Sequence, residues 1–87
     1  MYKILFHKKT KKDIKKLKTV NLDNQARNLI NKIRINPFCN QPPYEKLKGN
    51  LAGLYSRRIN IKHRLVYDVD NENKKIRILS MWSHYGE

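Results

Sequence analysis

Tyr55-Ser56-Arg57-Arg58-Ile59-Asn60-Ile61-Lys62-His63-Arg64-Leu65-Val66-Tyr67-Asp68-Val69 is the stretch on which the fold turns. Apolar and polar residues alternate along it. Tyr55, Ile59 and Ile61 stand against Ser56, Arg58 and Asn60, and Leu65, Tyr67 and Val69 against Arg64 and Asp68. Period two is the mark of strands with one covered face. The break at Asn60 to His63 is short enough for a tight antiparallel hairpin, although no Asn-Gly or Asp-Gly marks the turn. Arg57, Arg58 and Arg64 all fall on this pair of strands, and Arg57 breaks the polar alternation. A guanidinium is a planar fork that grips phosphate through two hydrogen bonds, so the hairpin is predicted to be a phosphate-gripping surface.

Outward from the hairpin, Tyr2-Lys3-Ile4-Leu5-Phe6 reads as a first strand. Thr10 can cap a helix with Asp13 near its positive end, and Ile14 and Leu17, extended by Val20, give it a thin apolar stripe. Asn21 reads as the cap of a second helix. Its stripe is Leu22, Ala26, Leu29, Ile30 and Ile33, and it stops at Asn36-Pro37 because the residue before proline avoids the helical region. Residues 37–53 carry Pro37, Pro42, Pro43, Gly49 and Gly53 and read as an irregular connection. After a turn at Asp70-Asn71-Glu72-Asn73, alternation resumes from Lys75 to Tyr85, with Ile76, Ile78 and Trp82 on one side. The expectation is one α+β domain over residues 1–87, in the order β-α-α-β-β-β, its antiparallel sheet covered on one face by the two N-terminal helices.

Twenty Lys and Arg against seven Asp and Glu leave a formal charge of +13 on 87 residues. Self-repulsion of that size implies a polyanionic partner, nucleic acid first and an anionic membrane surface second. Tyr2 to Phe6 is too short for a signal peptide or a membrane span. Cys39 is alone, which fits a reducing cytoplasm and reads as a bland thiol. His7, His63 and His84 lack ligand-like spacing, so neither a metal nor another cofactor is expected.

Lys8, Lys9, Lys11, Lys12, Lys15 and Lys16 crowd the first helix. They are either the solvated face of an amphipathic helix or a patch that positions a nucleic-acid backbone. Between Asn24 and Tyr67 the one acid is Glu45, against nine Lys and Arg. It is either a surface glutamate paired with Lys46 or Lys48, or a carboxylate held ionised in a positive site, able to take a proton. His84 is either an ordinary terminal residue or a general acid placed where a strand runs out beside the hairpin.

Pro43-x-Glu45-x-Leu47-Lys48-x-Asn50-Leu51-x-Gly53, Ser56-Arg57-Arg58-Ile59, His63-Arg64-Leu65-Val66-Tyr67 and the closing His84-Tyr85 together resemble the YoeB/Txe branch of the RelE/ParE toxin superfamily, whose fold is microbial-RNase-like. The resemblance covers most of the chain and is weak in the lysine-rich helix. It implies a toxin of a type II toxin–antitoxin pair that enters the ribosomal A site, cuts the messenger RNA there and halts translation, with no metal. Carried over by motif, Glu45 would be the general base on the ribose 2′-hydroxyl. Arg64 would stabilise the phosphorane-like transition state, His84 would protonate the leaving 5′ oxygen, and Tyr85 would orient the site. Lys48 and Arg58 would bind RNA phosphate, and the six lysines would lie on the ribosomal RNA backbone. Arg57 and His63 match motif positions with no role assigned. The implied partners are the ribosome with its mRNA and an antitoxin whose acidic segment wraps the basic surface, giving a hetero-oligomer, or a dimer of the toxin when alone. The alternatives are a non-catalytic toxin on the same fold, including a ParE-like gyrase inhibitor, and a plain RNA- or ribosome-binding module.

Overall fold

The computed structural model describes residues 1–41 and 43–82. Strand β1 (Lys3–Phe6) is followed by helices α1 (Thr10–Thr19) and α2 (Asp23–Ile35). Strands β2 (Tyr44–Lys46), β3 (Tyr55–Arg58), β4 (Arg64–Asp70) and β5 (Lys75–Ser80) complete the domain, with a 3₁₀ turn at Gly49–Leu51. The sheet runs β1-β5-β4-β3-β2. The predicted α+β architecture with two helices on one face of a sheet holds, and the hairpin falls at β3–β4.

The sheet is mixed where an antiparallel one was expected, because β1 pairs with β5 in parallel. The segment expected to be irregular also holds an extra strand. Glu45 pairs with Ser56 across β2 and β3, which makes residues 44–46 a fifth strand. Helix α2 ends beside the start of β1, where the Tyr2 N–H donates to the Arg34 carbonyl (2.9 Å), and β2 runs against β1. Three antiparallel reversals then bring β5 parallel to β1.

The core lies between the helices and one face of the sheet. Leu17 of α1 and Ala26, Leu29 and Ile33 of α2 pack against Leu65, Tyr67, Ile76 and Ile78, with Met81 closing one end. The α1–α2 corner is a Schellman motif. The Asn21 N–H donates to the Lys18 carbonyl (3.2 Å) and the Leu22 N–H to that of Leu17 (2.9 Å). Asn21 therefore ends α1 in the left-handed region (φ 59°) and does not cap α2, whose flanking residue Leu22 makes no side-chain cap. Thr10 also differs from expectation. Its hydroxyl donates to the His7 carbonyl (2.6 Å), and the Lys9 N–H is taken up by His7 Nδ1 (3.3 Å).

β5, expected to reach Tyr85, ends at Ser80. Beyond it the backbone is claimed by side chains. The Met81 N–H donates to the buried Asp13 carboxylate (3.0 Å), and His63 Nδ1–H donates to the Trp82 carbonyl. Asp13 thus joins α1 to the end of β5. The His63 ring stacks on Trp82 (4.2 Å between centroids), and Lys16 Nζ stands 5.7 Å from the Trp82 ring.

Candidate active site

Residues opposite one another in adjacent strands share a face, and neighbours along a strand alternate. Tyr44, Arg57 and Leu65 are in line, as are Tyr55 and Tyr67, and all face the helices. Glu45 and Ser56 are in line, and Arg58 faces Arg64, on the opposite, open face. This places the carboxylate and the two cleft arginines on one surface of β2–β4.

There Glu45, Ser56, Arg58 and Arg64 join Pro43 and Tyr44 around a cavity of ≈ 320 Å³. Arg64 Nη1 lies 3.4 Å from Glu45 Oε1 and 3.4 Å from Ser56 Oγ. The Arg64 side chain is 12% exposed and that of Glu45 63%, so a sunken cation carries an acid at its rim. Arg64 Nε is buried and, among the described residues, has no hydrogen-bond partner. Arg58 and Arg64 stand directly opposite on β3 and β4, an arrangement of like charges that costs stability in an isolated sheet. An under-satisfied guanidinium facing a second one is a seat for an anion, and the adjacent carboxylate is a proton acceptor within reach of whatever occupies it.

The other expected residues divide. Lys48 is exposed just before the 3₁₀ turn and does not line this cavity. Lys8, Lys9, Lys11, Lys12, Lys15 and Lys16 are all exposed along α1 and the turn before it, with Lys16 reaching the ring of Trp82. His84 and Tyr85 lie outside the described residues. Arg57 is not part of the phosphate-gripping surface. It is 1% exposed on the helix side of the sheet, where Nε donates to the Tyr67 hydroxyl (2.8 Å) and Nη2 to the Pro37 carbonyl (2.9 Å). The Tyr67 hydroxyl donates to the same carbonyl (3.0 Å), and its burial raises its pKa although Arg57 pulls the other way. Ser56, Pro43 and Tyr44 line the cavity although sequence reasoning gave them no role there. Period two already put Ser56 beside Arg58, which was the available signal.

Two helices laid on a mixed five-stranded sheet, with Glu45 among arginines on the open face, are shared with a class of small toxins. A YoeB/ParE toxin from Agrobacterium tumefaciens superposes with a TM-score of 0.85, covering 95% of this chain and 99% of that one at 27% identity. A chain of the YoeB–YefM complex from Staphylococcus aureus gives a TM-score of 0.80 over 98% of this chain and 99% of its own, at 38% identity. Toxin YoeB of Synechocystis sp. is 42% identical over 73 residues, which is 84% of this chain and 76% of that protein. The family model of the YoeB-like toxins of bacterial type II toxin–antitoxin systems matches residues 6–85, and the chain belongs to that family.

Proposed function

We infer that this toxin is an endoribonuclease that cuts messenger RNA in the ribosomal A site and so stops translation. The observation that carries the reading is the Glu45–Arg64 pair: an acid 3.4 Å from a sunken, incompletely bonded guanidinium, on the cavity that Arg58 also lines. In the reaction Glu45 takes the proton of a ribose 2′-hydroxyl. The 2′ oxygen attacks the adjacent phosphorus, and the bond from phosphorus to the 5′ oxygen breaks. Arg64, with Arg58 beside it, neutralises the charge that builds on the phosphoryl oxygens, a contribution often larger than proton transfer itself. The leaving 5′ oxygen takes up a proton. The resemblance assigns that donation to His84 and the orienting of the site to Tyr85. The products are a 2′,3′-cyclic phosphate and a 5′-hydroxyl. RNA supplies the nucleophile, so the chemistry calls for no metal-bound water and no cofactor. Lys48 and the exposed lysines from Lys8 to Lys16 hold RNA backbone irrespective of sequence.

An antitoxin partner follows from the family and from a charge of +13, which suits an acidic segment that folds as it binds. The similar S. aureus chains come from a YoeB–YefM complex and from a YoeB dimer, so both a hetero-oligomer and a toxin dimer are proposed states.

Primer extension on an mRNA in a purified translation system, beside the same RNA without ribosomes, tests the reading. Cuts at A-site codons that require ribosomes are expected. They should weaken about 10²–10⁴-fold in Glu45→Ala with ribosome binding retained. Blocked translation without cuts would indicate a binding inhibitor.

A further inference from the structure

Glu45 sits on β2, a three-residue edge strand that follows an irregular connection from α2. So short a strand has little pairing of its own to hold it at a fixed depth, yet a general base must keep a defined distance from the proton it removes. Arg57, on the covered face of the sheet, stands in register with Tyr44, the residue before Glu45. Its guanidinium carbon lies 5.1 Å from the centroid of the Tyr44 ring. Through Nη2 it also holds the carbonyl of Pro37, at the start of the connection, and through Nε it is tied to Tyr67 in β4, a strand paired on both sides. One buried side chain therefore grips both ends of the segment that delivers Glu45 and anchors them to the core.

We propose that Arg57 is a positioning residue for the cleft carboxylate: its guanidinium, through Tyr44, Pro37 and Tyr67, sets β2 so that Glu45 meets Arg64. The proposal rests on the nuclease reading for its kinetic consequence but not for its structural one. It assigns to the buried member of the Arg57-Arg58 pair a task separate from that of its neighbour, which faces RNA. Arginine is required because an ammonium is a point charge. Lysine at this position could keep the positive charge, but it could not reach a carbonyl, a hydroxyl and a ring face together.

Arg57→Lys, Tyr67→Phe and the wild type should be compared in ribosome-dependent cleavage, with kcat and apparent KM measured separately. The Glu45 carboxyl ¹³C chemical shift should be recorded in each at one pH, its resonance assigned with Glu45→Gln. Displacing the base predicts kcat lower by roughly 10²-fold in Arg57→Lys with KM unchanged, since a misplacement of about 1 Å is enough for such a loss. Tyr67→Phe should shift kcat in the same direction by less, and the Glu45 carboxyl ¹³C chemical shift should move in both variants. A merely structural arginine would lower the melting temperature and leave the kcat of the folded protein and the Glu45 carboxyl shift as they are. That result overturns the proposal. If Arg57→Lys does not fold, Tyr67→Phe decides by the same two readouts. Glu45→Ala, run alongside, separates this proposal from the function. Should that variant cut like the wild type, the assignment of the base fails, and the Glu45 carboxyl ¹³C shift alone decides whether Arg57 holds Glu45.

Discussion

Two cross-strand arginines on the same open face of the sheet behave differently. Arg77 on β5 stands directly opposite Asp68 on β4, and the two close a fork: Nε donates to both carboxylate oxygens (3.0 and 3.2 Å) and Nη2 to one (2.5 Å). Hydrogen bonding to Asp68 raises the Arg77 pKa. Arg64 on the same strand as Asp68 has another arginine opposite it, reaches its carboxylate only from two strands away, and touches it with one nitrogen at 3.4 Å. Arg77 is 63% exposed with two nitrogens on one carboxylate, whereas Arg64 is 12% exposed and, among the described residues, its Nε has no partner. A closed pair at the surface contributes little and binds nothing further. An open one, sunk where water screens it less, keeps its capacity for an incoming phosphate. The difference lies in register, not in residue type.

The sharpest way to break this contrast is to blunt the open arginine. Arg64→Lys keeps the charge and removes the fork, and a single-turnover cleavage assay should show a loss of about 10²–10³-fold, the scale of removing one transition-state donor. Binding should follow another group of charges. Replacing Lys8, Lys11 and Lys15 with glutamine should weaken association with RNA. It should also flatten the dependence of log K on log salt by about 0.7 for each phosphate no longer neutralised, as titrations over a range of salt would show. Stability should depend on neither surface but on the buried tie between them. Asp13→Ala strands the Met81 N–H and should cost about 1–3 kcal/mol in urea unfolding. At the exposed Arg77–Asp68 pair, Asp68→Asn should leave both the cleavage rate and the melting temperature without resolvable change.

The smallest effect concerns Asp70, whose carboxyl is held below its usual pKa by hydrogen bonds from the Asn73 side chain and backbone. Its pKa is depressed on folding, so the β4–β5 turn should have its full contribution above about pH 4 and lose it as pH falls below that. Asp70→Asn should remove this slight acid limb from a plot of melting temperature against pH.

Much of this is legible in the order of residues. The period of two through 55–69 places Ser56, Arg58 and Arg64 away from Leu65 and Tyr67, and the α2 stripe names Ala26, Leu29 and Ile33 as core, because both patterns are local consequences of backbone geometry. Glu45 stands out by charge alone. What escapes the sequence depends on partners far along the chain. Residues 44–46 carry no strand pattern and become a strand only because β3 offers an edge, and the parallel pairing of β1 with β5 joins residues from opposite ends of the chain. Thr10 and Asn21 read as caps from residue type, whereas the hydroxyl of one and the φ of the other are taken up by the neighbouring turn.

By itself the sequence determined which residues face which way and that a single acid lies among arginines. Only the tertiary structure decided that Arg57 is buried beneath the cleft while Arg58 and Arg64 line it. A guanidinium can go to phosphate or to a carbonyl and a phenol. The choice rests on whether the folded chain has brought Pro37, Tyr44 and Tyr67 around it.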